Sequence, residues 1–307
     1  MFIETHMHIS LNGDNSKKYR RMLSEDEKFA EDSLRRIFAS YKARGILALR
    51  DGGDNTELYQ MARKIAGEEG VIYKTPIYGL YKKGHYGGLI GKPVDGIKDI
   101  DEHFKDLVRK KADFVKIVLS GIVSFKEHEK VGDIGFKKEE FEYIVKKAKD
   151  SSLSVMVHVN SSEGVKMAID AGVNSIEHGY YLTYENLYAM KEKDIIWVPT
   201  LAPLGNIIYS NDKKYKSVKS NIKSIFEGQC EKVKQAWDIG VKIAVGSDAG
   251  AYRVYHGSGF FDELIYMNKS GIRKRDLLSM ACNNGAEVLG ITKNEIKDVE
   301  DRIANEG

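Results

Sequence analysis

Short apolar, β-branched runs alternate with longer helix-like stretches from the first residue to about residue 290. Strands that alternate with helices predict right-handed β-α-β units and a parallel sheet. The eight predicted strands are residues 2–9, 46–53, 71–80, 114–121, 154–160, 175–181, 195–202 and 242–250. Eight such units therefore predict an α/β fold consisting of a single (β/α)8 barrel of the TIM type.

An open doubly wound sheet is the main alternative to a closed barrel. Such a sheet normally carries a glycine-rich phosphate turn after its first strand. Here the first strand runs into His6, Met7 and His8, and the sequence contains no GxGxxG or Walker A pattern. We therefore expect one domain over residues 1–307, with the barrel proper at about 1–291 and a polar tail at 292–307.

Composition excludes several other kinds of protein. Hydrophobic residues make up 42% of the chain and charged residues 30%, which is ordinary for a soluble globular protein. The 48 basic residues nearly balance the 45 acidic ones without clustering, so no nucleic-acid partner is expected. Two cysteines, Cys230 and Cys282, are too few for a disulfide scaffold. Without a signal-like start or a membrane-length apolar run, the chain is expected to be cytoplasmic, with no membrane partner.

Titratable residues stand late in several predicted strands, where a barrel of this type has its active site. His6 and His8 are two residues apart, so both side chains point to the same face, the barrel interior. Later strands add further candidates. The full set is His6, His8, Lys116, His158, His178 and Asp248.

A metal ion is the simplest common partner for these groups. A single strand-end histidine is more often a hydrogen-bonded core residue. Here, however, four of the eight histidines in the chain share this position with an acid and a lysine. Imidazole and carboxylate donors together suit a borderline divalent metal such as zinc, so we predict a metal site at the barrel mouth.

The loops at the mouth supply candidates for binding a small-molecule substrate. His85 lies on the loop after the third strand and His256 follows the eighth, and for both an ordinary loop role is equally open. The complete set of predicted substrate contacts is His85, Tyr180, Tyr181, Arg253 and His256.

In combination, these motifs resemble the amidohydrolase superfamily. The matching pieces are His-Met-His, the strand-four lysine, the strand-five histidine, Glu-His-Gly and Gly-Ser-Asp. Two further stretches resemble its imidazolonepropionase-like and prolidase-like branch: residues 158–200, and Ala-Cys-Asn-Asn-Gly-Ala-Glu-Val-Leu-Gly-Ile near the C-terminus. The resemblance implies a metal-dependent hydrolase that cleaves an amide, such as a dipeptide or an N-acyl amino acid, with a hydroxide that bridges two metals.

The resemblance also implies a role for each candidate ligand. In relatives with a strand-four lysine, carbon dioxide carboxylates that lysine, which then bridges two divalent metals, with zinc favoured here. His6, His8 and Asp248 would hold the buried metal, and His158 and His178 the outer one, with Lys116 between them. Asp248 would also be the catalytic residue that moves a proton from the water to the leaving group.

Relatives also carry a small β-sandwich built from segments before and after the barrel. This chain shows neither set of strands, so we expect the barrel alone. A homo-oligomer is left open, because a second copy could cover exposed barrel surface.

Two alternatives to an amide hydrolase remain open at this point. One is a mononuclear deaminase with the same histidines, in which Lys116 is structural and pairs with an acid such as Glu177. The sequence does not show the His-x-x-Glu pattern that such deaminases tend to carry near the fifth strand. The other alternative is a barrel that binds a ligand or metal without catalysis.

Overall fold

The computed structural model describes residues 1–211 and 213–306, so residue 307 of the predicted tail lies outside the described residues. The strands are β1 Phe2–Met7, β2 Ile46–Asp51, β3 Ile72–Lys74, β4 Gly79–Lys82, β5 Gly91–Val94, β6 Val115–Val118, β7 Val155–Val159, β8 Ser175–His178 and β9 Ile196–Val198. The helices are α1 Ser16–Glu25, α2 Glu27–Lys42, α3 Tyr59–Glu68, α4 Ile97–Arg109, α5 Lys138–Asp150, α6 Ser162–Ala171, α7 Tyr184–Glu192, α8 Ala202–Tyr209, α9 Lys219–Ile239, α10 Ser258–Lys269, α11 Lys274–Ser279, α12 Gly285–Leu289 and α13 Lys293–Glu306. A 3-10 turn at Lys216–Val218 precedes α9, and a π-helical turn at Met280–Asn284 precedes α12.

Parallel strand pairing builds the barrel in two ladders. One ladder has the order β1-β2-β3, and the other has the order β5-β4-β6-β7-β8-β9. The third predicted strand is divided between them, because β3 pairs with β2 whereas β4 pairs with β6. The short strand β5, which the sequence pattern did not predict, pairs with the other edge of β4.

The eighth predicted strand closes the ring between β9 and β1. On one side, the Thr5 amide donates to the Val245 carbonyl at 3.0 Å and the Asp248 amide to the His6 carbonyl at 2.8 Å. On the other side, the Ala244 amide donates to the Trp197 carbonyl at 2.9 Å. The predicted (β/α)8 barrel is therefore confirmed.

Strand alternation separates the packing face from the interior face. In β7, Val155, Val157 and Val159 belong to the main apolar core, together with residues of the surrounding helices. His158 lies between two of these valines and faces the other way, into the cavity at the barrel mouth. All five residues of β7 are buried, as expected for a parallel strand covered on both faces.

Left-handed glycines end two of the barrel helices. Gly172 after α6 and Gly240 after α9 have φ angles of 74° and 85°. These are the C-terminal stops that glycine favours, because it lacks a Cβ. Within the described residues, no helix combines the length and apolar character that crossing a membrane requires.

Candidate metal centre and active site

Three candidate ligands meet where β1 and the closing strand end. Oδ1 of Asp248 lies 3.3 Å from Nε2 of His8 and 3.7 Å from Nε2 of His6. Donor atoms of these three residues all lie within 4.8 Å of one another. His6 is fully buried and His8 nearly so. This group can share one metal ion.

The other three candidates lie in the same cavity. The rings of His158 and His178 are 4.4 Å apart between centroids, and the ring of His178 is 5.1 Å from that of His6. Lys116, from the middle of β6, lines this cavity with them. The fold thus brings together all six residues that the sequence pattern selected.

Several polar atoms at this site lack a partner within the protein. Among the described residues, the buried side-chain atoms without a hydrogen bond include Nε2 of His6, Nε2 of His158 and Nζ of Lys116. Buried polar groups are normally paired, because leaving one unpaired costs the full desolvation penalty. Nε2 of His6 and Nε2 of His158 have no hydrogen-bond partner in the described part of the chain, and both residues line the cavity together with the carboxylate of Asp248. Imidazole and carboxylate donors of this kind fit a divalent metal such as zinc.

Hydrogen bonds at Nδ1 orient three of the four histidines. Nδ1 of His6 lies 2.7 Å from Oε2 of Glu177, and Nδ1 of His178 lies 2.7 Å from the hydroxyl oxygen of Thr200. Nδ1 of His8 lies 3.3 Å from the carbonyl oxygen of Gly53. Partners of this kind fix the ring and leave Nε2 as the ligand atom.

Glu177 is hydrogen-bonded to His6 and not to Lys116, the pairing that the structural-lysine alternative offered as an example. Besides His6, its carboxylate accepts hydrogen bonds from Arg50 at 3.2 Å and from the Ser175 hydroxyl at 2.6 Å. It makes no hydrogen bond to Lys116, whose Nζ has no partner among the described residues. Glu177 therefore positions a candidate ligand, and it acts on Lys116 only through its charge: burial lowers the pKa of Lys116, and the charge of Glu177 opposes that shift without a direct hydrogen bond.

Burial keeps the candidate ligands in the protonation states that metal binding needs. It lowers the pKa of His158 to about 3 and lowers the pKa of His6 and of His178, so these rings are neutral. Burial also lowers the pKa of Lys116 to about 8, which increases the share of neutral amine near neutral pH. Although burial acts to raise the pKa of Asp248, its hydrogen bond to His8 and the nearby positive charge lower it overall.

Three residues of the site occupy left-handed backbone conformations. The φ angles of His178, Thr200 and Asp248 are 66°, 50° and 57°. Such angles are uncommon for residues other than glycine and cost on the order of 1–3 kcal/mol each. All three side chains line the cavity. The turns at these strand ends therefore hold functional groups at an energetic cost.

Helix α8 forms one wall of the cavity, and a buried acid holds its first turn. Oε2 of Glu263, on α10, accepts a hydrogen bond from the amide of Ala202 at 2.6 Å. Burial raises the pKa of Glu263 to about 8. Leu204 and Ile207 of the same helix face the cavity.

Unlike the predicted ligands, most of the predicted substrate contacts do not line this cavity. The cavity has a volume of about 330 Å³, and of these predicted contacts only Tyr180 lines it. Tyr181 lines a neighbouring cavity of about 590 Å³. His85 is exposed, and neither it nor Arg253 belongs to the lining.

His256 is held away from the cavity by its own hydrogen bonds. Its Nδ1 lies 3.2 Å from the hydroxyl of Tyr41, and its Nε2 lies 2.8 Å from the carbonyl oxygen of Leu11. With both ring nitrogens engaged, His256 ties α2 to the loop after β1. The structure thus gives His256 a packing role, and it does not line the cavity.

Sequence reasoning missed several residues that line the cavity. Tyr86 lies there with its ring 5.5 Å from that of His158, whereas its neighbour His85 was selected. The missed polar and aromatic lining residues are Ser16, Tyr86, Phe125, Asn160, Thr200, Tyr215 and Tyr252. Tyr86 and His85 are neighbours in the same loop motif, but Tyr86 lines the cavity and His85 does not.

A (β/α)8 barrel with histidines, a buried lysine and an aspartate at its strand ends has the arrangement of the amidohydrolase superfamily. The sequence profile of the amidohydrolase family matches residues 2–297. The chain belongs to this family.

Among proteins similar in sequence is the ochratoxinase of Aspergillus niger, which is 27% identical over 188 residues. That match covers 61% of this chain but only 38% of the ochratoxinase. An uncharacterized protein of Mycobacterium bovis is 30% identical over 138 residues, covering 44% of this chain and 37% of its own. The matched regions therefore span less than half of either relative.

Solved structures extend the similarity over nearly the whole chain. A Xaa-Pro dipeptidase with bound methionine superposes with a TM-score of 0.75 at 25% identity, covering 94% of this chain and 75% of that one. The Aspergillus niger ochratoxinase structure also gives a TM-score of 0.75, at 20% identity, covering 94% and 71%. These neighbours agree with the prolidase-like branch that the motifs indicated.

Proposed function

We propose that this protein is a metal-dependent hydrolase that cleaves the carbon–nitrogen bond of an amide. One observation carries the proposal. Six potential ligands from five strand positions converge in one cavity, and three of them have a buried polar atom without a hydrogen-bond partner. A cavity with convergent, pKa-shifted groups is the expected form of an active site.

The geometry supports an assignment of ligands to two metals. The close group of His6, His8 and Asp248 would hold one ion. The adjacent rings of His158 and His178 would hold the second, and Lys116, once carboxylated, would bridge the two. When bound, two divalent metals would polarise the scissile carbonyl and lower the pKa of a bound water.

Asp248 is the residue best placed to handle the proton. Its carboxylate lines the cavity, its side chain is 16% exposed, and its lowered pKa keeps it ionised. It would accept a proton from the attacking water and deliver it to the leaving amine, the role of a general base followed by a general acid. Nε2 of His8 lies 3.3 Å from this carboxylate.

The state of Lys116 favours a binuclear centre over a mononuclear deaminase. A buried ammonium without a partner is costly, and Lys116 is 1% exposed with no hydrogen bond to its Nζ. Carboxylation would turn this amine into an anion between two cations. In a mononuclear site, no second metal ion would balance the charge of a carboxylated Lys116.

Replacing His6 or His8 with alanine is expected to lower metal content and activity together, because each removes one ligand from the group around Asp248. Far-UV circular dichroism should stay close to the wild type. His128→Ala is the matched control, since that imidazole is 78% exposed on a loop. Wild-type metal content in both His6→Ala and His8→Ala would exclude these residues as ligands.

The activity itself is tested with zinc-loaded protein and a panel of amides. The Xaa-Pro dipeptidase and the ochratoxinase among the similar proteins suggest Xaa-Pro dipeptides and ochratoxin as first compounds. Aromatic amides, N-acyl amino acids and uncharged acyl amides complete the panel. We expect release of free amine that a chelator abolishes and added zinc restores. Protein that binds metal but releases no amine from any compound would refute the proposed function.

A further inference from the structure

Apart from the six candidate ligands, the cavity is lined by uncharged side chains. Among the described residues of its wall, no other Asp, Glu, Lys or Arg contributes. Most of this remaining surface is aliphatic or aromatic, as illustrated by Tyr86, Leu89, Phe125, Leu204, Ile207 and Tyr215.

Two polar side chains of the wall, Asn160 and Thr200, form hydrogen bonds within the protein. The side-chain nitrogen of Asn160 donates a hydrogen bond to the carbonyl of Gly121, and its side-chain oxygen accepts one from the backbone amide of Tyr180. The hydroxyl of Thr200 is bonded to His178. The side chains of Asn160 and Thr200 are therefore already hydrogen-bonded within the protein, and neither carries a charge that could pair with a charged substrate.

The rim of the cavity is also apolar. Tyr86 and Leu89 are each 46% exposed, and Ile122 is 53% exposed, although all three line the cavity. Exposed apolar side chains grouped around an opening mark a surface that binds an apolar ligand.

Three cations, those of Arg20, Lys214 and Arg253, lie near this wall but do not enter its lining. Arg20 donates to the carbonyl of Leu89 and to the side chain of Asn55, and so fastens the rim loop. The ammonium of Lys214 lies 3.8 Å from the ring centroid of Tyr252. The guanidinium carbon of Arg253 lies 5.8 Å from the centroid of the same ring. None of these three residues belongs to the cavity lining.

We propose that the substrate is an uncharged amide with apolar or aromatic groups, and not an amide with a free carboxylate. This inference rests on the proposed function and narrows it. A carboxylate bound against this wall would lose water without gaining a charged partner, which is costly. A cavity of about 330 Å³ is also at the lower end of the range for small-molecule sites, which suits a compact ligand.

Two compounds that differ only in a carboxylate test the inference: N-hexanoyl-2-phenylethylamine and N-hexanoyl-L-phenylalanine. Binding is measured by calorimetry on zinc-loaded Asp248→Asn, which is expected not to turn them over appreciably. We expect the uncharged compound to bind at least roughly tenfold more tightly. Equal or tighter binding of the carboxylate compound, or no binding of the uncharged one, would overturn the inference.

A charge placed on the rim should change this preference. Adding Ile122→Lys to Asp248→Asn should reduce the ratio of the affinity for the uncharged compound to the affinity for the carboxylate compound. The reason is that the new ammonium can pair with the carboxylate. Leu278→Lys is the matched control, since Leu278 is 48% exposed on α11 and does not line the cavity. An unchanged ratio with Ile122→Lys would show that the wall does not set the preference.

Hydrolysis by the wild-type protein is measured separately on the same pair. If the affinity ratio is as expected but neither these two compounds nor any amide of the panel is cleaved, the proposed function fails while the inference about the ligand stands. If cleavage occurs but the carboxylate compound binds as well or better, only the inference fails.

Discussion

Asp248→Asn is expected to keep most of the bound metal and to lose at least roughly 10²–10⁴-fold in turnover. Loss of a general acid–base group costs about this much, and loss of a ligand charge adds to it. The asparagine keeps the shape of the side chain, so the contacts with His6 and His8 can largely persist. Steady-state kinetics and metal analysis of the same preparation measure the two effects.

Asp238→Asn provides the matched control for this variant. Asp238 is an exposed residue of α9 whose carboxylate pairs with Lys234, and it does not line the cavity. The control should retain wild-type turnover. If Asp248→Asn also turns over at a near-normal rate, another residue must transfer the proton.

Lys116→Met is expected to abolish the second metal site and to reduce activity more than the roughly 10–100-fold that mutation of an outer-shell partner costs. Methionine has a similar length but cannot be carboxylated. Lys116 Nζ is buried without a hydrogen bond, so removing the amine should leave the metal-free protein at least as stable to heat. Metal content, activity and melting temperature of the apoprotein are the measurements.

A second observation separates carboxylation from a merely structural lysine. Wild-type protein grown or incubated with ¹³C-bicarbonate should show a carbamate carbon that Lys116→Met lacks, and electron density should extend beyond Nζ. Lys64→Met, at a lysine that is 70% exposed on α3, should match the wild type in every measurement. Density that ends at the amine, with one metal per chain, would favour the mononuclear alternative.

The barrel and the candidate ligands were predictable from sequence because both follow from short-range patterns. His6 and His8 share a face by strand alternation, and residues late in parallel strands converge wherever the barrel closes. The division of the third strand was not predictable. β3 pairs with β2 whereas β4 pairs with β6 and β5, and β5 lies in a segment without strand-like alternation.

The residues that orient the ligands were not predictable either, because they come from distant parts of the chain. Glu177 is 171 positions from His6, and Arg50 is 127 positions from Glu177. The same holds for His256, whose partner Tyr41 is 215 positions away. A histidine in a glycine-rich loop has the same local pattern whether it faces a substrate or ties two elements together.

Counting the metal ions bound per chain decides whether the six convergent residues form the proposed centre. Protein loaded with zinc and bicarbonate, then freed of excess metal, is analysed by mass spectrometry of the metal against protein concentration. Two ions per chain are expected, falling in His6→Ala, His8→Ala and Lys116→Met but not in His128→Ala. A wild-type protein that retains no metal under these conditions would contradict the proposal.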